Sequence, residues 1–144
     1  MMKRSFKSMI GVTLLEIMLV LAIAAMVIVM SIRYYQTASL NQKINSMMST
    51  VTAITAAGEN YYAANGSFAG INQTAIQNYM PGGTMPSTPW GGTITIAAGT
   101  DNYSYTITPA GVPANACGAI RGLLQQNVKF VVPADCSVIT VTNK

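Results

Sequence analysis

The chain contains no histidine among its 144 residues. That removes the Ser-His-Asp and Cys-His arrangements that activate a nucleophile. With two cysteines, no CxxC spacing and no imidazole, a zinc site has too few ligands. Charge is nearly as scarce: charged residues are 8% of the chain, where about a quarter is usual. The four acids, Glu16, Glu59, Asp101 and Asp135, are scattered and no two share a motif, so general acid–base work by paired carboxylates has no basis. No GxxxxGK loop is present to cradle a phosphate. Proline is missing ahead of Pro81, and Gly58 is the only glycine between Val12 and Asn65; little in that interval would interrupt a helix. These absences argue against an enzyme and against a resident metal or cofactor.

What the chain has in excess is apolar sequence, 51% of its residues. From Val12 to Ile32 the only charge is Glu16. As a helix rising about 1.5 Å per residue, that run spans about 31 Å, matching the hydrocarbon core of a bilayer. An acid at the centre of such a helix costs about 2.5–3.5 kcal/mol and is usually functional, so Glu16 calls for a positive partner. A shorter span, Ile17–Ile32, would leave Glu16 at the interface and cover about 24 Å.

Residues 1–11 carry Lys3, Arg4 and Lys7 and no acid, a distribution that keeps them cytoplasmic while the rest of the chain crosses. Basic leader, Gly11, then apolar run is the reverse of a secretory signal peptide, whose apolar region precedes the cut. Cleavage after Gly11 would leave the apolar segment as a new N-terminus still in the membrane. Without the leader, five basic side chains face four acids, so the basic pI is no argument for a nucleic-acid partner. Cys117 and Cys136 enclose 18 residues in the part that would face an oxidising compartment, where a bridge is expected. Closing that loop contributes about 3 kcal/mol in the chain-entropy picture; two buried free thiols are the alternative.

Gly11-Val12-Thr13-Leu14-Leu15-Glu16 resembles the prepilin cleavage motif of type IV pilins. The resemblance implies a cut between Gly11 and Val12 by a membrane-embedded prepilin peptidase, N-methylation of Val12, and a role for Glu16 in assembly. It divides the chain into a cleaved leader (1–11), a hydrophobic transmembrane and filament-core helix (12–33) and a periplasmic or extracellular globular head (34–144). The physics agrees: cleavage unmasks an ammonium at Val12, and Glu16 of an incoming subunit can pair with a neighbour's ammonium, offsetting two desolvation costs. Val12 departs from the Phe or Met often found there, and varied apolar residues at that place are more typical of the type IVb branch. The short leader is as in type IVa.

Further along, Leu40, Ile44, Met47, Met48, Val51, Ile54, Thr55, Gly58, Tyr61 and Tyr62 follow steps of three and four, while Asn41, Lys43, Asn45, Ser49, Thr52 and Glu59 occupy the other face. One helix is expected from Val12 to about Ala63. Residues 64–92 read as a Gly/Pro-rich connection with a short helix over Thr74–Tyr79, and Trp90 is expected between the loop and a sheet. Strands are expected over Thr93–Ala97, Tyr103–Thr108, Val128–Val132 and Val138–Val141. A helix is expected over Pro113–Gln125, with Asn115 a candidate cap. The implied class is α+β, the pilin fold: a long N-terminal helix, both membrane anchor and domain spine, packed on a small antiparallel sheet of about four strands, with a C-terminal disulfide.

The resemblance implies a homo-oligomeric helical filament, built from a bacterial inner-membrane pool by dedicated assembly machinery and found outside the cell as a fibre serving adhesion, aggregation or motility. Ala22, Ala24 and Ala25 would let neighbouring helices approach closely. A second reading is a type II secretion pseudopilin, against which the cysteine pair counts. A third is a minor pilin or tip binding module for adhesion or DNA uptake, in which exposed Arg121, Lys129 and Lys144 would contact phosphates.

Overall fold

The structure is a computed structural model that describes the backbone of residues 5–143 and side chains from residue 13. In order along the chain it forms α1 (Ser5–Asn65), α2 (Gln73–Gln77), one 3-10 turn (Pro81–Gly83), β1 (Ile94–Ala98), β2 (Ser104–Pro109), α3 (Ala114–Leu124), β3 (Phe130–Val131) and β4 (Ile139–Thr142). The strands form one sheet in the order β1-β2-β4-β3, antiparallel throughout. The chain divides into two compact units, one up to Ser39 and one from Leu40, and α1 contributes to both.

In the unit from Leu40, the expected stripe of α1 is the buried one. Ile44, Met47, Val51, Ile54 and Tyr61 of that stripe enter the core, joined by Ala57, which the stripe did not include, with Leu40, Met48 and Tyr62 packed at its margin. The sheet answers with alternate residues: Ile94 and Ile96 of β1, Tyr105 and Ile107 of β2, Ile139 and Val141 of β4, as the two-residue repeat of a strand requires. α3 closes the core with Ala116, Cys117, Ile120 and Leu124. The Cys117–Cys136 bridge is formed, which removes the free-thiol alternative and ties α3 to the turn preceding β4. Trp90 is half-buried against the core.

Three local expectations are corrected. The short helix begins at Gln73 and ends at Gln77, because the Asn72 side chain accepts the Ala75 N–H at 2.8 Å and caps it. Asn115 does not cap α3. The helix starts at Ala114 after an extended Pro113, whose carbonyl accepts the Ala116 and Cys117 N–H groups, and Asn115 lies within the first turn. The strand expected over Val128–Val132 shrinks to Phe130–Val131. Asn127 takes the Lys129 and Phe130 N–H groups into a turn, and Gln125 Nε2 donates to the Val132 carbonyl, so flanking backbone is spent elsewhere.

Gly58 has a packing reason. Tyr105 is 1% exposed, its ring tilted against Phe68 with centroids 4.8 Å apart, and a Cβ at position 58 would lie 2.6 Å from its phenol oxygen. That oxygen is buried with no hydrogen-bond partner among the described residues; the Thr55 hydroxyl donates to the Val51 carbonyl instead. Burial pushes the Tyr105 pKa from its usual 10 up to about 12, the Thr55 hydroxyl opposing and the Glu59 carboxylate adding to the shift. A raised phenol pKa favours the neutral form in the fold, so this stabilisation is complete below about pH 10 and fades as pH rises toward about 12. Tyr105→Phe should cost less than about 1 kcal/mol at pH 8, since no hydrogen bond is lost. By pH 11 its stability relative to the parent should improve by about 1.4 kcal/mol. Urea unfolding at the two pH values measures this, and an equal alkaline loss in both proteins would contradict the assignment.

Candidate assembly site

In the unit up to Ser39 the described residues, from Ser5 on, are all helical. Every described side chain from Thr13 to Ala38 is exposed, including Leu14, Leu15, Ile17, Met18 and Leu19 around Glu16. Mean hydropathy in its most apolar stretch reaches 2.7, and the helix is long enough to cross a membrane. Two of its hydroxyls are turned inward on the backbone: Ser31 Oγ donates to the Val27 carbonyl at 2.8 Å, and Thr37 Oγ1 to the Arg33 carbonyl at 3.1 Å. Such back-bonding lets a polar residue sit on an apolar helix without an external partner.

Gly11 and Val12 fall within the backbone of α1, but their side-chain surroundings lie outside the described residues. Glu16 lies four positions after Val12, so both share one helical face, one turn apart. The helix therefore presents the Glu16 carboxylate one turn beyond Val12, amid exposed apolar side chains.

Cys117 and Cys136 belong to the other unit, where they hold α3 and the loop before β4. The three cations considered for phosphate contact are not a free patch. Lys129 Nζ is 2.9 Å from Glu59 Oε1, Arg121 is half-buried with its Nε out of solvent, and Lys144 lies outside the described residues. The Glu59–Lys129 pair, which links α1 to the segment entering β3, has no local sequence signal because its members are 70 residues apart.

A long N-terminal helix, a four-stranded antiparallel sheet packed on its second half and a C-terminal disulfide together make the pilin fold. No family model matches the chain, and no solved structure matches it. Among curated proteins the chain is similar to the major structural subunit of bundle-forming pilus of Escherichia coli O127:H6 (strain E2348/69 / EPEC), with 28% identity over 123 residues, covering 78% of this chain and 64% of the relative. The protein of the same description from Escherichia coli O111:H- matches to the same extent. The chain thus spans 64% of the length of the curated relatives it matches. The similarity supports the resemblance to type IV pilins, on the IVb side, that the residues around Gly11 carry.

Proposed function

We propose that the chain is a structural subunit of a type IV pilus, polymerising through its hydrophobic N-terminal helix into a surface fibre. The observation that carries this reading is an apolar helix with no burial of its own, bearing one carboxylate a turn beyond Val12, in a chain similar to a named pilus subunit. A helix apolar all round needs lipid or other helices to cover it. In this reading a prepilin peptidase cuts between Gly11 and Val12 and Val12 is N-methylated. The mature subunit waits in the inner membrane, with residues 34–144 on the far side. Assembly machinery then draws subunits together, Glu16 of the incoming copy pairing with the Val12 ammonium of a neighbour. The pair favours one axial register, because any other leaves two charges unmatched in an apolar surrounding. Adhesion, aggregation and motility would be properties of the finished fibre.

Intact-mass measurement on protein from its native membrane tests the processing step. The expected mass lacks residues 1–11, carries one added methyl group and has the Cys117–Cys136 pair oxidised. A mature pool that still begins at Met1 would end this reading.

A further inference from the structure

The apolar run of α1 stops at three consecutive side chains, Arg33, Tyr34 and Tyr35, and all three are exposed, Tyr34 by 78% and Tyr35 by 73%. Successive residues of a helix are about 100° apart, so these three wrap about 200° of the circumference. A partner helix meets a stripe at steps of three and four. A collar at one level instead suits surroundings that are the same all round. Tyrosine combines an apolar ring with a polar tip and gathers at the boundary between hydrocarbon and headgroups. An arginine beside it carries donors for a lipid phosphate on a stem that tolerates apolar contact. Gln36, Thr37, Ser39, Asn41 and Gln42 follow, so polarity rises directly beyond the collar.

We propose that Arg33, Tyr34 and Tyr35 form a phospholipid-headgroup collar that fixes the depth of the unassembled subunit in the bilayer. This rests on the membrane stage of the reading above. Its consequence concerns Glu16. Seventeen residues before Arg33, that carboxylate lies about 26 Å down the axis, nearly the full hydrocarbon thickness of about 30 Å. The collar therefore holds Glu16 beside the headgroups of the opposite face, where water reaches it, and the midplane falls near Ile23 and Ala24. In storage Glu16 escapes the penalty of a midplane acid. Drawing the subunit outward takes the carboxylate into hydrocarbon, and there the ammonium of a neighbour becomes the remedy. The collar and the charge pair then act in sequence, the first setting where the second is needed.

The test uses the full processed chain in vesicles of phosphatidylethanolamine and phosphatidylglycerol. Both native cysteines are locked in the disulfide, so single cysteines introduced along residues 18–30 carry spin labels without interference. The ratio of oxygen to nickel-chelate collisions reports depth. In the parent it should peak near residue 23 or 24. In Tyr34→Ala/Tyr35→Ala it should move toward residue 27, about one turn or about 5 Å, as Glu16 slides into cytoplasmic water. Tyr34→Trp/Tyr35→Trp should restore the parent position, because indole takes the same interfacial place. A peak unmoved in the alanine variant overturns the collar while leaving the membrane stage intact. A label series with no oxygen-rich, nickel-poor position overturns the membrane stage itself, and the collar with it.

Discussion

On the proposed assembly route, Glu16→Ala is expected to insert and to be cut after Gly11 no less than the parent, yet to yield fibres at under about a tenth of the parent level. The argument is one of unmatched charge. Removing one member of a buried ion pair leaves the other uncompensated, at a cost of about 3–5 kcal/mol, and each 1.4 kcal/mol is about tenfold in an association constant. Every subunit added to the fibre meets that cost, so polymer length suffers more than any single contact. Glu16→Gln keeps the shape and some hydrogen bonding but not the charge, and should fall between alanine and parent. A chain that cannot be cut after Gly11 has no ammonium at Val12, so adding Glu16→Ala to it should cost little further, the non-additivity expected of two partners in one interaction. Sheared-fibre yield, normalised to the membrane pool of each variant, measures all three. Parent-level yield from Glu16→Ala would remove the charge pair from the mechanism.

How much was legible beforehand depends on how far apart the deciding residues are. α1 is readable from Val12 onward because its signals are local: no proline, one glycine beyond Gly11, apolar residues at steps of three and four; the structure starts it at Ser5, seven residues ahead of the expected Val12. Glu16 stood out because its neighbours are uniformly apolar. The edges of β1, β2 and β4 fell within a residue or two, since alternation such as Ile94-Thr95-Ile96 is written in the strand itself. β3 was overdrawn for the opposite reason. Val128 through Val132 have strand composition, but Asn127 and Gln125 take up the backbone at either end. By spacing Gly58 belongs to the apolar stripe, whereas its packing reason is Tyr105, 47 positions away in β2. Glu59 and Lys129 look like two solvated charges until the fold joins them. Pairings of this kind are set by topology, and the sequence around either partner does not announce the other.

The Trp90-Gly91-Gly92 segment extends that point to the second large effect. As sequence it says no more than aromatic plus turn. In the structure it is the tongue of a clasp. The Thr88 N–H donates to the Gly92 carbonyl at 2.8 Å, the Gly92 N–H donates to Thr88 Oγ1 at 2.8 Å, and that hydroxyl donates to the Ala110 carbonyl at 3.0 Å. Thr88 is buried, so its hydroxyl joins the loop to the chain leaving β2, 22 residues on. This closeness leaves no room at position 92: a Cβ there would fall inside the Ala110 carbonyl, 2.5 Å from its carbon, and 2.9 Å from Thr88 Oγ1. Backbone cannot step aside as a side-chain tip can. Gly92→Ala is therefore expected to break the clasp, with a loss of about 3–5 kcal/mol combining overpacking and stranded buried polar groups. For a unit of this size that is a fall in Tm of more than about 12 °C. Gly91 is the internal control. Its φ of +82 favours glycine, but a Cβ there meets open space, so Gly91→Ala should cost only about 1–2 kcal/mol. Thr88→Val keeps the volume and strands the Gly92 N–H, for about 1–3 kcal/mol. Thermal melts of the three variants in detergent should rank Gly92→Ala as the least stable. A Gly91→Ala protein that melts below Gly92→Ala would show that backbone conformation, and not the meeting of residues 88, 92 and 110, holds this loop to the sheet.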